Sequence, residues 1–276
     1  MLTRRTRRGI ITRMKEAIKI KTADEIAKLR EAGRLAALVL ETVCNETRPG
    51  RTTKELDDLV RDVILSHGAR SAFLNYNGYP AQACISVNET IIHGIPDQRV
   101  VKDGDVVSID VGVWLDGFIG DNAQTIPVNV SDPAVLDLLR NTERALHAGI
   151  DAARAGARLG DVCHAIEVVA TQSRLSIVRE FVGHGCGREL HEEPQIPNYG
   201  VSGRGPVLKE GMVLCIEPML NLGGRHVKTL RDGWTVVTAD GKPSAHFEHQ
   251  IAITASGGPA EILTPRRRLF EENAEA

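Results

Sequence analysis

Lys102-Asp103-Gly104-Asp105-Val106-Val107-Ser108-Ile109-Asp110 and Lys209-Glu210-Gly211-Met212-Val213-Leu214-Cys215-Ile216-Glu217 are one pattern written twice, 107 residues apart. Each is a charged turn with a central glycine, then a strand-like apolar run, then a carboxylate. Arg48-Pro49-Gly50 and Arg154-Ala155-Gly156 form a second matched pair, at an offset of 106. Two matches at nearly one offset indicate an internal duplication, and the flanking sequence agrees. Thr22 reads as a helix N-cap with Glu25 three residues on, followed by Ile26, Leu29, Gly33, Ala36, Ala37 and Leu40 at helical spacing as far as Val43. A second helix starts at Thr52 or Thr53 with the stripe Leu56, Leu59, Val60, Val63 and Ile64, and strand-like runs follow at 83–87 and 106–113. The second half replays this order, with helices over 132–153 and 161–172, a Gly/His/Pro-rich loop, and strands at 213–216 and 250–253. The pattern predicts an α+β fold with a pseudo-two-fold axis, the carboxylates of the two strands facing each other near it.

The whole chain has 276 residues, 42% of them apolar, with 34 Lys plus Arg against 36 Asp plus Glu. This composition supplies a globular core and excludes disordered, collagenous and disulfide-scaffold classes. The length allows two domains or one large one. The repeat selects a single catalytic domain over 21–264, built from halves at about 21–130 and 131–264. A formal charge of −2 gives no whole-protein attraction to DNA or to a membrane surface, and no apolar run approaches the roughly 18 residues of a membrane span. Five scattered cysteines without a Cys-x-x-Cys pair fit a reducing, cytoplasmic setting. Residues 1–20, with Arg4, Arg5, Arg7, Arg8 and Arg13, form a basic flexible extension that lacks the apolar segment of a secretory signal. It is a disordered leader, an upstream misassigned start ahead of Met14, or an arm that touches ribosomal RNA. The tail 265–276, opening with Pro265-Arg266-Arg267-Arg268, reads as a solvated end.

Chemistry concentrates where the repeated strands end. Asp110 to Asp121 reads as a hairpin turning at Asp116-Gly117, with Asp110 and Asp121 as cross-strand neighbours. Carboxylates held side by side among apolar residues repel unless a cation or a shared proton compensates. Glycines on both sides of His184 let its backbone run close to a site, and His191 follows seven residues later. Glu217 and Glu248 each stand at the border of an apolar run. Four carboxylates and one imidazole, with no thiolate, suit Mn, Fe(II), Co or a catalytic Zn, and two ions sharing bridging carboxylates are expected. His93 and His191, one per half and each ahead of a carboxylate strand, remain as proton donors or oxyanion stabilisers.

These motifs resemble the methionine aminopeptidase family, of the pita-bread fold shared with creatinase and Xaa-Pro dipeptidase. The resemblance runs from about Lys21 to Thr254 through Ser86-Val87-Asn88-Glu89, His93-Gly94, Ile109-Asp110-Val111, Gly120-Asp121, Gly183-His184-Gly185, His191-Glu192-Glu193-Pro194, Ile216-Glu217-Pro218-Met219 and Phe247-Glu248-His249. The short passage from His184 to Glu217 is similar to the type I, bacterial-style branch. The resemblance implies a central curved antiparallel sheet with helices on its outer face. It also implies two divalent ions held by Asp110, Asp121, His184, Glu217 and Glu248, with Asp121 and Glu248 bridging. Glu217 would serve as general base, and His93 and His191 would handle the scissile amide. The implied substrate is the initiator methionine of a nascent polypeptide with a small second residue, its amine near Asp110. Phe73, Tyr76, Tyr79, Cys84, Leu190 and Trp234 would line the methionine pocket. Leu190, where the family often carries an aromatic, and Phe73, where a smaller residue is frequent, would reshape that pocket. A monomer with transient ribosome association completes the expectation. The alternatives are a Xaa-Pro dipeptidase, which predicts a large domain ahead of Lys21, and a non-catalytic binding factor, which would lose ligands that are all present here.

Overall fold

The computed structural model describes residues 17–255 and 257–270. The arginines from Arg4 to Arg13 and the end of the tail lie outside the described residues. Helix α1 (Ala23–Glu46) starts at Thr22, whose hydroxyl accepts the Glu25 N–H while the Glu25 carboxylate accepts the Thr22 N–H at 3.0 Å. Thr52 and Glu55 repeat this reciprocal cap at α2 (Thr53–Ser66), which fixes the start at Thr52. Helix α3 (Pro133–Ala152) has Asp132 as its cap and proline in its first turn. Helix α4 (Leu159–Gln172) begins two residues before the expected position, because Asp161 sits inside the first turn and accepts the Arg158 N–H at 2.8 Å.

In the first half, β1 (Cys84–Val87), β2 (Val106–Leu115) and β3 (Phe118–Pro127) form an antiparallel sheet that Arg70–Ser71 extends along β2. The β2–β3 hairpin turns at Asp116 and Gly117, with φ of 48° and 86°, the left-handed pair that a tight two-residue turn needs. That turn pairs Leu115 with Phe118, so Asp110 falls opposite Ala123 and Asp121 opposite Gly112. The two aspartates are cross-strand neighbours, set diagonally on one face. The second half contributes β4 (Gly183–Gly185), β5 (Glu192–Ile196), β6 (Val213–Ile216), β7 (Met219–Asn221), β8 (Ser244–His246) and β9 (His249–Ala252). Glu261–Ile262, β9, β6, β4 and β5 lie in that order in a five-stranded antiparallel sheet.

The duplication is visible in backbone hydrogen bonds. Gly50 N–H donates to Val101 and Gly156 N–H to Leu208, both at 2.9 Å, and the bridges Thr52–Val100 and Arg158–Val207 are likewise equivalent. Gly50 and Gly156 both have φ of 92°. The matched Arg-x-Gly triplets are thus the turns that lash the second helix of each half to the approach of its carboxylate strand. The helices cover one face of the strands. Val39, Leu40, Leu56 and Val60 pack on Val107, Ile109 and Val111, while Leu138, Leu146 and Ile166 pack on Leu214, Ile216 and Ile251. Alternation along β2 turns Asp110 to the opposite face. The two sheets meet where Glu248 N–H donates to the Ala123 carbonyl at 2.8 Å and Gln250 Nε2 to the Ile119 carbonyl at 2.9 Å.

In the described part of the tail Pro265, Arg267, Arg268 and Leu269 are exposed, and Arg266 turns inward. Arg266 donates to the carbonyls of Glu248 and Ala123, and the Leu269 and Phe270 N–H groups bond the buried Glu143 carboxylate. Among the described residues no helix is long and apolar enough to cross a membrane. Helix α1 lies so close to β3 that a Cβ on Gly120 would stand 2.3 Å from the Ala32 carbonyl oxygen. Gly120→Ala is therefore expected to cost about 2–3 kcal/mol by forcing helix and strand apart, read as a lower urea midpoint at unchanged m.

Candidate active site

A cavity of about 890 Å³ opens between the halves. Every residue singled out from the sequence lines it: Asp110, Asp121, His184, Glu217 and Glu248; His93 and His191; and Phe73, Tyr76, Tyr79, Cys84, Leu190 and Trp234. The glycines beside His184 are required by close packing. A Cβ on Gly183 would lie 2.4 Å from the Cys215 carbonyl oxygen, and one on Gly185 would lie 2.3 Å from that of Glu193. His184 Nδ1 reaches the Gly185 carbonyl at 3.0 Å, a bond that only an Nδ1–H can make. The Nε2 lone pair then faces Glu217 Oε1 at 3.3 Å and Asp121 Oδ2 at 3.8 Å.

The carboxylates have the electrostatics of a site that needs a cation. Asp110 Oδ1, Asp121 Oδ1 and Glu248 Oε1 are shut off from solvent without a hydrogen-bond donor. Burial pushes Asp121 up to about 7. Burial and then the Asp121 charge raise Asp110, and burial followed by the neighbouring carboxylates raises Glu217 and Glu248 well above the usual range. Orphaned, mutually repelling oxygens beside an imidazole lone pair fit divalent cations. Ligand atoms of Asp121, His184, Glu248 and Cys215 lie within 4.8 Å of one another, which makes Cys215 a member of the cluster that the sequence did not single out. Burial, with Cys186 and Glu248 alongside, raises its thiol pKa, so it stands there as a protonated donor and not as a thiolate.

The histidines shift the opposite way, with burial as the first cause. His184 and His246 fall to about 3, His93 to about 4, and His191 also falls. All are neutral at pH 7. Tyr76 Oη lies 2.7 Å from His191 Nδ1, and burial raises the phenol pKa, which keeps its proton on. In the tautomer where the phenol donates to Nδ1, the imidazole proton sits on Nε2. His93 has φ of 58°, and its ring meets Phe181 and Trp234 edge-on at 5.7 and 6.0 Å. The adjoining pocket is a cluster of Phe73, Tyr79, Cys84, Ile119, Leu190 and Cys186, with Tyr79 edge-on to Trp234 at 5.1 Å.

Sequence reasoning missed His246 and Phe181. His246 Nε2 is buried without a hydrogen-bond partner, 3.7 Å from Glu217 Oε2. Its place two residues before Glu248 put it on the same face of an extended segment, and that spacing was the available signal. Phe181, three residues ahead of His184, carries no such signal. Because burial raises the site carboxyls, Asp121 to about 7, and lowers the histidines, a divalent cation entering the metal-free protein is expected to displace protons from the carboxyls. Titration calorimetry at pH 7 in buffers of different ionisation enthalpy is expected to show release of about one proton or more, and affinity is expected to rise with pH between 6 and 8.

Comparison with known proteins accounts for the arrangement. Residues 27–255 match metallopeptidase family M24. Methionine aminopeptidase 1 of Bacillus subtilis is 52% identical over 88% of this chain and 98% of its own length. The crystal structures of methionine aminopeptidase from Rickettsia prowazekii and Thermotoga maritima superpose with a TM-score of 0.88 each, at 42% and 44% identity, over 90% and 91% of this chain and the full length of theirs. Prolidase from Pyrococcus furiosus, at 24% identity and a TM-score of 0.73 over 66% of its length, shares the pita-bread fold. With its duplicated halves and the carboxylate cavity between them, the chain belongs to metallopeptidase family M24, among the methionine aminopeptidases.

Proposed function

We propose that this enzyme hydrolyses the bond after the N-terminal methionine of nascent polypeptides, preferring a small second residue, and that Asp110, Asp121, His184, Glu217 and Glu248 hold two divalent ions. The observation that carries this reading is the contact between orphaned carboxylate oxygens from both halves and an apolar, aromatic pocket with a thiol in its wall. A thioether packs well against such polarisable surfaces. Five free cysteines support a reducing, cytoplasmic setting.

When bound, divalent cations supply Lewis-acid charge that acidifies water and polarises a carbonyl. The chain supplies the rest. Glu217, raised towards neutrality by burial and its carboxylate neighbours, is suited to accept a proton from water and return it to the leaving amine. Neutral His184 directs Nε2 at Glu217, and His246 flanks the other carboxylate oxygen. His191, with Nδ1 held by Tyr76, offers Nε2–H to the scissile carbonyl oxygen as negative charge grows there. His93, fixed between Phe181 and Trp234, faces the amide nitrogen. The substrate amine lies beside Asp110, and the side chain fills the space bounded by Phe73, Tyr79, Cys84, Leu190 and Trp234.

Metal-depleted protein is expected to release methionine from Met-Ala-Ser only after addition of Co(II), Mn(II), Fe(II) or Zn(II), and to leave Ala-Pro intact; absence of release with every metal refutes the reading. Glu217→Ala should bring kcat below a tenth of wild type with the far-UV circular dichroism unchanged. His191→Ala should lower kcat about 100-fold or more with metal affinity held within a few-fold; equal losses would make His191 a ligand.

A further inference from the structure

The first part of the tail runs against the two segments that carry Asp121 and Glu248. Arg266 Nη1 donates to the Glu248 carbonyl and Nη2 to the Ala123 carbonyl, both at 2.9 Å, and Nη1 also reaches His249 Nδ1 at 2.9 Å. Ala123 lies two residues beyond Asp121 on β3, and its carbonyl also accepts the Glu248 N–H. One guanidinium therefore spans the seam at which the sheets of the two halves join. The segment is fastened on both sides of Arg266. Thr264 Oγ1 bonds His249 Nδ1 at 3.0 Å and accepts the Gln250 N–H at 3.2 Å, while Glu143 accepts the N–H groups of Leu269 and Phe270 at 2.9 Å each. A cation this deep in the protein is costly unless charge offsets it, and Glu143 and Glu248 are the carboxylates that do so. The planar fork of arginine reaches two carbonyls at once, and an ammonium on a flexible stem does not hold both in one geometry.

We infer that Arg266 is a positioning residue of the metal centre. By clamping the Glu248 backbone to Ala123 it sets the separation of the Asp121 and Glu248 carboxylates, one from each half, and with it the binding of the second ion. The inference rests on the proposed metal-binding role of those two side chains. The test is Mn(II) titration of metal-free wild type, Arg266→Met, Arg266→Lys and Glu248→Gln, with electron paramagnetic resonance of the loaded proteins, kcat and KM on Met-Ala-Ser, and thermal melting of the metal-free forms. Arg266→Met should weaken the second Mn(II) by about 10- to 100-fold. It should also replace the spectrum of a coupled pair by that of isolated Mn(II), and lower kcat with KM within twofold; Arg266→Lys should fall between. If Arg266→Met binds both ions and turns over within twofold of wild type while only melting earlier, the residue is merely structural and the inference fails. If Arg266→Met does not fold, Arg266→Lys decides by the same readings. Glu248→Gln separates the two ideas: retention of both ions there overturns the ligand assignment, whereas loss of an ion there but not in the Arg266 variants overturns only the clamp.

Discussion

Four carboxylates converging on one cavity cannot all be ionised without a cation, and much of the surrounding structure can be understood as the means of holding them there. Each half supplies two on extended segments whose other face is packed under helices, so neither pair can retreat to solvent without unpacking a core. Another acid on the cavity wall, Glu192, shows the contrast. It is ion-paired with Lys21, with Nζ at 2.5 Å, whereas among the described residues the site carboxylates share only the charge of Arg266 near Glu248. One guanidinium does not balance four carboxylates, so the remaining compensating charge has to come from outside the chain. The neutral histidines among them fit the same constraint, since they offer lone pairs or a single proton without adding titrating positive charge.

The apolar pocket and the carboxylate cluster are not separate modules. Gly112 lies on the same strand as Asp110, and a Cβ there would sit 2.4 Å from the Phe73 ring, so the bare strand is part of the pocket wall. The Phe73 ring therefore packs against a bare glycine two residues from Asp110. His191 likewise depends on the first half, because the Tyr76 hydroxyl that orients it belongs to a turn ahead of β1.

Much of this was legible in the sequence because it is local or periodic. The caps at Thr22 and Thr52, the Asp116-Gly117 turn and the repeated turn-strand-carboxylate pattern are short-range signals, and the repeat turned them into a statement about which carboxylates meet. What was not legible depends on long-range partners. Cys215 looked like an ordinary strand residue, since only the pairing of β4 with β6 brings it beside His184. Arg266 stands in a run of arginines near a chain end, a composition that ordinarily means solvent, and the carbonyls it holds are 18 and 143 residues away.

The equivalent bridges Thr52–Val100 and Arg158–Val207 also speak to how such a site could arise. A half-length chain carrying one turn, one helix pair and one strand ending in an acid would, as a homodimer, place two symmetry-related carboxylates on its two-fold axis, where a single ion could stabilise the association. Joining the two copies releases them from identity. One copy is then free to carry an imidazole at His184 while the other carries a hydroxyl at Ser86, the residue at the equivalent pairing position, and the two ends of the seam become distinguishable.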